Sequence, residues 1–479
     1  MSAPSERTVD ATPLVVLPPV VSVDGQPEVK PNGKAEGHVP EVDRRALATQ
    51  RAADAARWRA IVEAGGAEAW IAAEMRAQGL TVDDDPSSLT DATKAAYKER
   101  KKAEAAGRRA LRRAAWAAYR ATHVVHVGAG VFFRDEIPIS REAEAARQVR
   151  ASRNDLAALD SVDALATGLG LTAPELRALC YHREVESSSH YRRWEIPKRD
   201  GTARVISAPK ERLKEAQRWL VRNVFEKLPV HQAAHGFLPE RSIVSNAALH
   251  AGADVVVKVD LLDFFPSVTF ARVKGLLRSA GLPEPVAILT ALLCTEPPRE
   301  MVKFRNRTLW VATGPRALPQ GAPTSPSITN ALCRKLDRRL SGLGRTFGFT
   351  YTRYADDLTF SWRRPADDPR ASAPIGMLLR GIRQVVEGEG FRIHQKKTAV
   401  MRPGGTQRVT GLVVNEAEGA PPVRIPRDLL RRLRAALHNR ERGREGQETL
   451  EQLAGMAAFV YMVDPAKGRA LQERIAALS

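Results

Sequence analysis

Val255-Val256-Val257-Lys258-Val259-Asp260 is an almost unbroken β-branched run that ends in an acid. It predicts a buried strand with Asp260 at its carboxyl end. That carboxylate either faces a cleft or caps the next helix. Further on, the strand-like runs Thr350–Arg353 and Leu358–Ser361 flank Tyr354-Ala355-Asp356-Asp357. Asp-Asp suits a tight turn better than a strand interior, so a hairpin is predicted. Like charges this close repel unless a cation lies between them. The turn is therefore either solvated or metal-binding. Between the two acidic segments, Leu318–Pro326 is punctuated by Gly and Pro and leads into an apolar-periodic helix over Ser327–Leu336. The loop is either an ordinary turn or a place where backbone approaches a flat ligand.

Other segments complete the pattern. His190–Ile206 reads as a hairpin turning at Asp200-Gly201. Pro426–His438 is a Pro-started helix with Leu429, Leu433 and Leu437 on one face and Arg427, Arg431, Arg434 and His438 on an adjacent one. A second helix is predicted from about Gln447 to Met462. Residues 1–42 lack periodicity and read as disordered. From Glu41 to about Thr122 the chain is rich in helix formers, with breaks at Gly65-Gly66 and at Asp83-Asp84-Asp85-Pro86. Its second helix carries Lys98, Arg100, Lys101, Lys102, Arg108, Arg109, Arg112 and Arg113, which form either a nucleic-acid arm or a solvated face. His123–Phe132 is apolar enough to pack on a core. His123 and His126 have no other ligand types beside them and are not assigned to a metal.

Charge narrows the partner. Lys plus Arg total 74 against 55 acids, a net +19, which favours a polyanion. Aromatics are only 6%, which favours backbone and shape recognition over base stacking. Cys180, Cys294 and Cys333 have neither zinc spacing nor a disulfide framework, which suits a reducing cytoplasm. Leu14–Val21 is too short and Pro-broken to span a membrane and lacks a signal-peptide pattern.

The Asp260 strand, the Gln320-Gly321 loop and the Tyr354–Asp357 turn, in this order, resemble motifs A, B and C of reverse transcriptases. Asn246-Ala247-Ala248-Leu249-His250 and Val409-Thr410-Gly411 resemble two signatures of the bacterial retron branch. Read from the residues alone, the first is a polar i, i+4 helix pair and the second a strand. The resemblance implies catalytic roles for Asp260, Asp356, Asp357 and Lys397, with Lys397 as general acid toward pyrophosphate. It implies two Mg²⁺ ions on Asp260, Leu261, Asp356 and Asp357. The dNTP would meet Arg204, with Lys198 the weaker candidate, Phe265 as a gate against the ribose 2′-hydroxyl, and Gln320. Asp263 is a further acid or a helix cap. RNA contact is expected at Asn246, His250, Val409, Thr410, Gly411, Arg427, Arg431 and Arg434.

The implied fold is α+β, a right-hand polymerase with fingers, a palm of mainly antiparallel sheet and a helical thumb. The expected boundaries are a disordered 1–42, a helical basic extension over 43–153, fingers and palm over 154–415, and a thumb over 416–479. The implied function is copying part of a cognate structured non-coding RNA into branched msDNA from an RNA 2′-hydroxyl, in phage defence with an effector protein. A group II intron-like or diversity-generating reverse transcriptase is the alternative enzyme. The lack of a maturase or endonuclease extension after Ser479 disfavours the intron type. A catalytically silent RNA-binding protein is the alternative outside enzymes; three intact carboxylates disfavour it.

Overall fold

The computed structural model describes residues 44–83, 90–128, 130–134, 139–197, 201, 203–418, 421–444 and 446–478. The segment expected to be disordered, Lys198, Asp200 and most of the Asp83–Pro86 break lie outside them.

Two compact units are present, one holding the chain up to Val125 with Thr172–Glu175, the other the rest. The first contains helices α1 (Arg44–Glu63), α2 (Ala67–Ala77) and α3 (Asp91–Thr122). Gly65 and Gly66, both at positive φ, make the break between α1 and α2. The core of this unit is Ile61, Trp70, Ile71, Met75, Ala115 and Ala118. The basic residues of α3 are partly neutralised within the unit: Lys101 and Arg108 meet Glu104, and Arg112 meets Glu68. His123 stacks on Tyr119, in keeping with a packing role.

In chain order, helices α4 (Arg141–Arg153), α5 (Val162–Gly168), α6 (Ala173–Cys180) and α7 (Glu211–Asn223) come next. They are followed by α8 (Ile243–Ala248), α9 (Phe270–Ala280), α10 (Glu284–Cys294), α11 (Thr324–Leu332), α12 (Arg334–Thr346) and α13 (Ile375–Gly388). The chain closes with α14 (Arg427–Glu441), α15 (Leu450–Val463) and α16 (Pro465–Ala476). The strands are β1 (Val185–Glu186), β2 (Tyr191–Pro197), β3 (Ala203–Pro209), β4 (Val255–Asp260), β5 (Arg299–Phe304) and β6 (Arg307–Ala312). After them come β7 (Phe349–Tyr354), β8 (Asp357–Trp362), β9 (Ala399–Met401), β10 (Arg408–Val409) and β11 (Leu412–Val413).

The central sheet runs β7-β8-β4-β9, antiparallel throughout. Register divides its residues between two faces, because directly paired residues point the same way. One face carries Phe349, Tyr351 and Arg353 of β7, Leu358, Phe360 and Trp362 of β8, and Val255, Val257 and Val259 of β4. Helix α12 covers it, with Asp337 bonded to Tyr351 and Arg353. The other face carries Val256, Lys258 and Asp260 beside Ser361, Thr359 and Asp357. Its Val256 end is roofed by one apolar cluster that also holds Ala247, Val409, Leu433, Leu453 and Leu471. That cluster joins the sheet to α14, α15 and α16. The Asp260 end is only partly covered.

Hairpin β2–β3 pairs Tyr191 with Pro209 through to Pro197 with Ala203, where a hairpin was expected. Strands β1, β6 and β5 form a separate sheet that the sequence did not signal. Cys180, Cys294 and Cys333 are free and buried. Among the described residues no helix is long and apolar enough to cross a membrane.

Candidate active site

Strand β4 delivers Asp260, and the turn between β7 and β8 delivers Asp356 and Asp357. Asp260 and Asp357 are direct cross-strand partners. The Leu261 N–H donates to the Asp356 carbonyl oxygen at 3.0 Å, which ties the end of β4 to the turn. Ala355 takes positive φ (56°), costly for a residue with a Cβ, so the turn needs outside support. Support comes from Arg353, fully buried, which donates to the Ala355 carbonyl at 3.2 Å and to both Asp337 oxygens at 2.8 Å. Its remaining donor bond reaches Asn330 Oδ1, while Asn330 Nδ2 donates to the Gly236 carbonyl. Burial would lower the Arg353 pKa, but Asp337 outweighs it and holds the guanidinium above its ordinary value. Gly236 presses against the turn so closely that a Cβ would stand 2.8 Å from the Ala355 nitrogen.

Electrostatics marks the site as unusual. Burial pushes the Asp356 carboxyl above its ordinary range, reinforced by Asp260 and, less strongly, Asp357; a backbone hydrogen bond and Lys397 oppose this. Lys397 Nζ donates to both Asp260 oxygens at 3.2 Å, and Lys258 Nζ to Asp357 Oδ2 at 3.4 Å. Among the described residues no three His, Cys, Asp or Glu side chains converge tightly enough to hold an ion in this arrangement. The donor set of hard carboxylate oxygens nevertheless suits Mg²⁺ once the lysines give way. The Leu261 side chain is buried, which leaves only its carbonyl oxygen for a cation.

Around the acids stand three rings. Phe265 lies 6.4 Å from Phe237, and Phe237 lies 6.4 Å from Tyr354. Phe237, exposed and at positive φ, was not among the residues expected here. The Gln320 carbonyl accepts from Ser207 N–H at 2.7 Å, which docks the Gln320-Gly321 loop on β3. Gly321 sits at φ 115°, and a Cβ there would meet Ile206 and Ser207 at 3.0–3.1 Å. Arg204 is exposed on β3. Asp263 is exposed, with Arg392 at 3.5 Å.

A family model described as reverse transcriptase (RNA-dependent DNA polymerase) matches residues 196–425. The chain is 57% identical over 429 residues to the Retron Mx162 reverse transcriptase of Myxococcus xanthus, with 88% of each chain covered. This chain belongs to the retron reverse transcriptases. It is therefore an RNA-directed DNA polymerase with a polymerase fold. It is also 45% identical over 310 residues to the Retron Mx65 reverse transcriptase of Myxococcus xanthus, covering 65% of this chain and 70% of that one. A solved telomerase from Candida tropicalis with a fragment of telomeric RNA aligns at TM-score 0.35 and 12% identity, over 60% of this chain and 56% of that one. That likeness is too slight to carry an argument.

The retron signatures need a correction. Asn246, His250 and Val409 are fully buried, so these side chains do not present themselves to an RNA. His250 instead bridges the two strands of the β7–β8 hairpin. Nδ1 meets Ser361 Oγ on β8 and Nε2 meets Thr352 Oγ1 on β7, both at 2.7 Å. Val409 packs in the cluster under α14. An i, i+4 polar pair looks solvent-facing in sequence because partners a hundred residues away are invisible there. Thr410 and Gly411 remain at least partly accessible, with Thr410 Oγ1 donating to the Ile243 carbonyl. Arg427, Arg431 and Arg434 are exposed along α14, opposite buried Leu433 and Leu437.

The bridge is an imidazole held neutral. Burial, helped by His235 and Arg363, lowers the His250 pKa to about 3, and burial lowers that of His235 to about 4. Unfolded, each binds its proton near pH 6.5. As pH falls below that value, the unfolded chain takes up protons first and stability is lost down to the folded values. Unfolding midpoints measured between pH 7 and 4 should therefore fall with pH. In His250→Gln the overall stability should be lower and the fall shallower; an unchanged slope would remove His250 from this role.

Proposed function

We propose that Asp260, Asp356 and Asp357 carry DNA synthesis in this retron reverse transcriptase, with two Mg²⁺ ions as cofactors. The observation that carries the reading is the cross-strand pairing of Asp260 with Asp357 beside the Asp356 turn. Divalent ions on these carboxylates would supply Lewis-acid activation of the attacking 3′-oxygen and neutralise charge on the leaving pyrophosphate. The chain's own residues do the rest. Lys397, already within 3.2 Å of Asp260, gives the proton that pyrophosphate takes on departure. Phe265, set against Phe237, fills the space a ribose 2′-hydroxyl would need. Gln320 lies under the incoming base, and Arg204 meets the triphosphate.

In this reading β2–β3 and the helices around it are the fingers, the four-stranded sheet is the palm, and α14–α16 are the thumb. Thr410, Gly411, Arg427, Arg431 and Arg434 contact RNA, the arginines by following a duplex backbone. The template is a cognate non-coding RNA, primed from one of its own 2′-hydroxyls to give branched msDNA from dNTPs. The product works with an effector protein in phage defence inside the cytoplasm. The strong identity to a retron relative supports this over an intron-like or diversity-generating enzyme.

Asp356→Asn is expected to bring Mg²⁺-dependent synthesis below detection while RNA binding by filter retention stays near wild type; retained synthesis by purified mutant would sink the assignment. Phe265→Ala is expected to let ribonucleotides into the product, read by alkali cleavage. Nucleic acid co-purifying with the wild-type protein should be sensitive to both RNase and DNase and joined through a 2′,5′ linkage. A product with an ordinary 3′,5′ primer junction would exclude the branched reading.

A further inference from the structure

A concavity on the unit that holds the central sheet lies away from the carboxylates. It is a cleft of about 690 Å³ lined by Arg150 and Arg153 at the end of α4, Lys227, and Arg334, Lys335 and Arg338 on α12. No acidic residue lines it. Lys227 is paired with Asp155 and Lys335 with Glu389, both from outside the lining. Among the described residues no carboxylate pairs with Arg150, Arg153, Arg334 or Arg338.

The position follows from the sheet's two faces. On α12, Leu336, Asp337 and Leu340 are buried, with Asp337 bonded to Arg353 and Tyr351. Arg334, Lys335 and Arg338 are exposed on the far side of the same helix. Asp260 and Asp357 project from the sheet face that α12 does not cover. The sheet and its helix layer therefore stand between the cleft and the catalytic acids. Helix α4 is held here firmly: Arg147 Nη1 donates to the Gly281 carbonyl and Asn154 Nδ2 to the Ala280 carbonyl at the end of α9. The four arginines thus stand on fixed elements.

We infer that this cleft is a docking site for the phosphate backbone of a duplex segment of the enzyme's RNA, distinct from the segment being copied. Guanidinium forks match phosphate oxygens in pairs, and four without carboxylate partners offer that contact at no cost in broken ion pairs. The lining contains no aromatic ring on which a base could stack and no acid to hold a metal-bound triphosphate. A free nucleotide therefore fits poorly, and recognition of backbone without base fits well. The site rests on the proposed function only for the source of its ligand. A structured RNA held front and back is fixed in register relative to Asp260.

The test compares full-length wild type, the quadruple variant R150Q/R153Q/R334Q/R338Q and the charge-preserving quadruple Lys variant. The probe is an RNA hairpin of about 16 base pairs, the span of two minor grooves. Affinity is measured across a salt series, and extension of oligo(dT) on poly(rA) is measured alongside. For the Gln variant the expected result is weaker hairpin binding and a log–log salt slope shallower by about 3–4, close to one unit per lost phosphate contact. Its kcat and KM for oligo(dT) extension and for dTTP should be unchanged, and the Lys variant should keep most of the slope. Unchanged affinity and slope in the Gln variant would overturn the site. A raised KM for oligo(dT) on poly(rA) would also overturn it, by moving these arginines into the template path, and a raised KM for dTTP would move them to the nucleotide. If the wild type failed to extend oligo(dT), the polymerase reading would fall while the hairpin comparison still decided the cleft.

Discussion

The buried pair of Arg353 and Asp337 is the constraint on which the turn carrying Asp356 and Asp357 depends. Neither group reaches solvent. Burying two charges is expensive, and the cost is met only because every lobe of the guanidinium has a partner. Removing one partner from such a pair typically costs about 3–5 kcal/mol, since the other is left charged in a dry interior. Here the same guanidinium also holds the Ala355 carbonyl and reaches Asn330, which in turn holds Gly236. One side chain therefore fixes helices α11 and α12, the segment before Phe237 and the turn carrying Asp356. A turn with an alanine at positive φ would relax without this grip.

The sheet separates structure from chemistry by parity alone. Successive residues of β4, β7 and β8 alternate between a face packed on helices and a face that carries the acids. Arg353 and Asp357 come from adjoining strands, yet Arg353 is locked inside while Asp357 faces outward. On the outward face, polarity is graded from Val256 and Ser361 at the roofed end to Asp260 and Asp357 at the open end. His250 stands between, joining Thr352 to Ser361 across the hairpin. That imidazole is kept neutral by its burial, with His235 and Arg363 acting the same way.

Much of this was readable in the chain. The β-branched run, the Asp-Asp turn and the Pro-started basic helix are local signals, and β4, the β7–β8 hairpin and α14 appear where those signals lie. The grouping of Asp260, Asp356 and Asp357 was legible because motif order carries three-dimensional information. What escaped depends on partners distant in sequence. Asn246 and His250 were expected to contact RNA, but both are buried, and the partners of His250 lie on β7 and β8. Arg353 sits at an inward position of an alternating strand, after Phe349 and Tyr351, and that parity could have exposed it. The partner Asp337 could not be named without the fold. Strands β1, β5 and β6 and the division of the chain near Val125 left no periodic mark strong enough to read.

The cluster uniting Val256 with Leu433, Leu453 and Leu471 has a mechanical meaning. Val256 lies four residues before Asp260 on the same strand, roughly 13 Å away at strand rise. Helix α14, which carries the exposed arginines, is thus bolted to the bar that ends in Asp260. If a duplex tracks α14 as proposed, strain on that helix would pass into β4 through packed side chains, as a load passes through a single casting. On that proposal, alignment of primer and carboxylate would be a property of stiffness, kept from one nucleotide to the next.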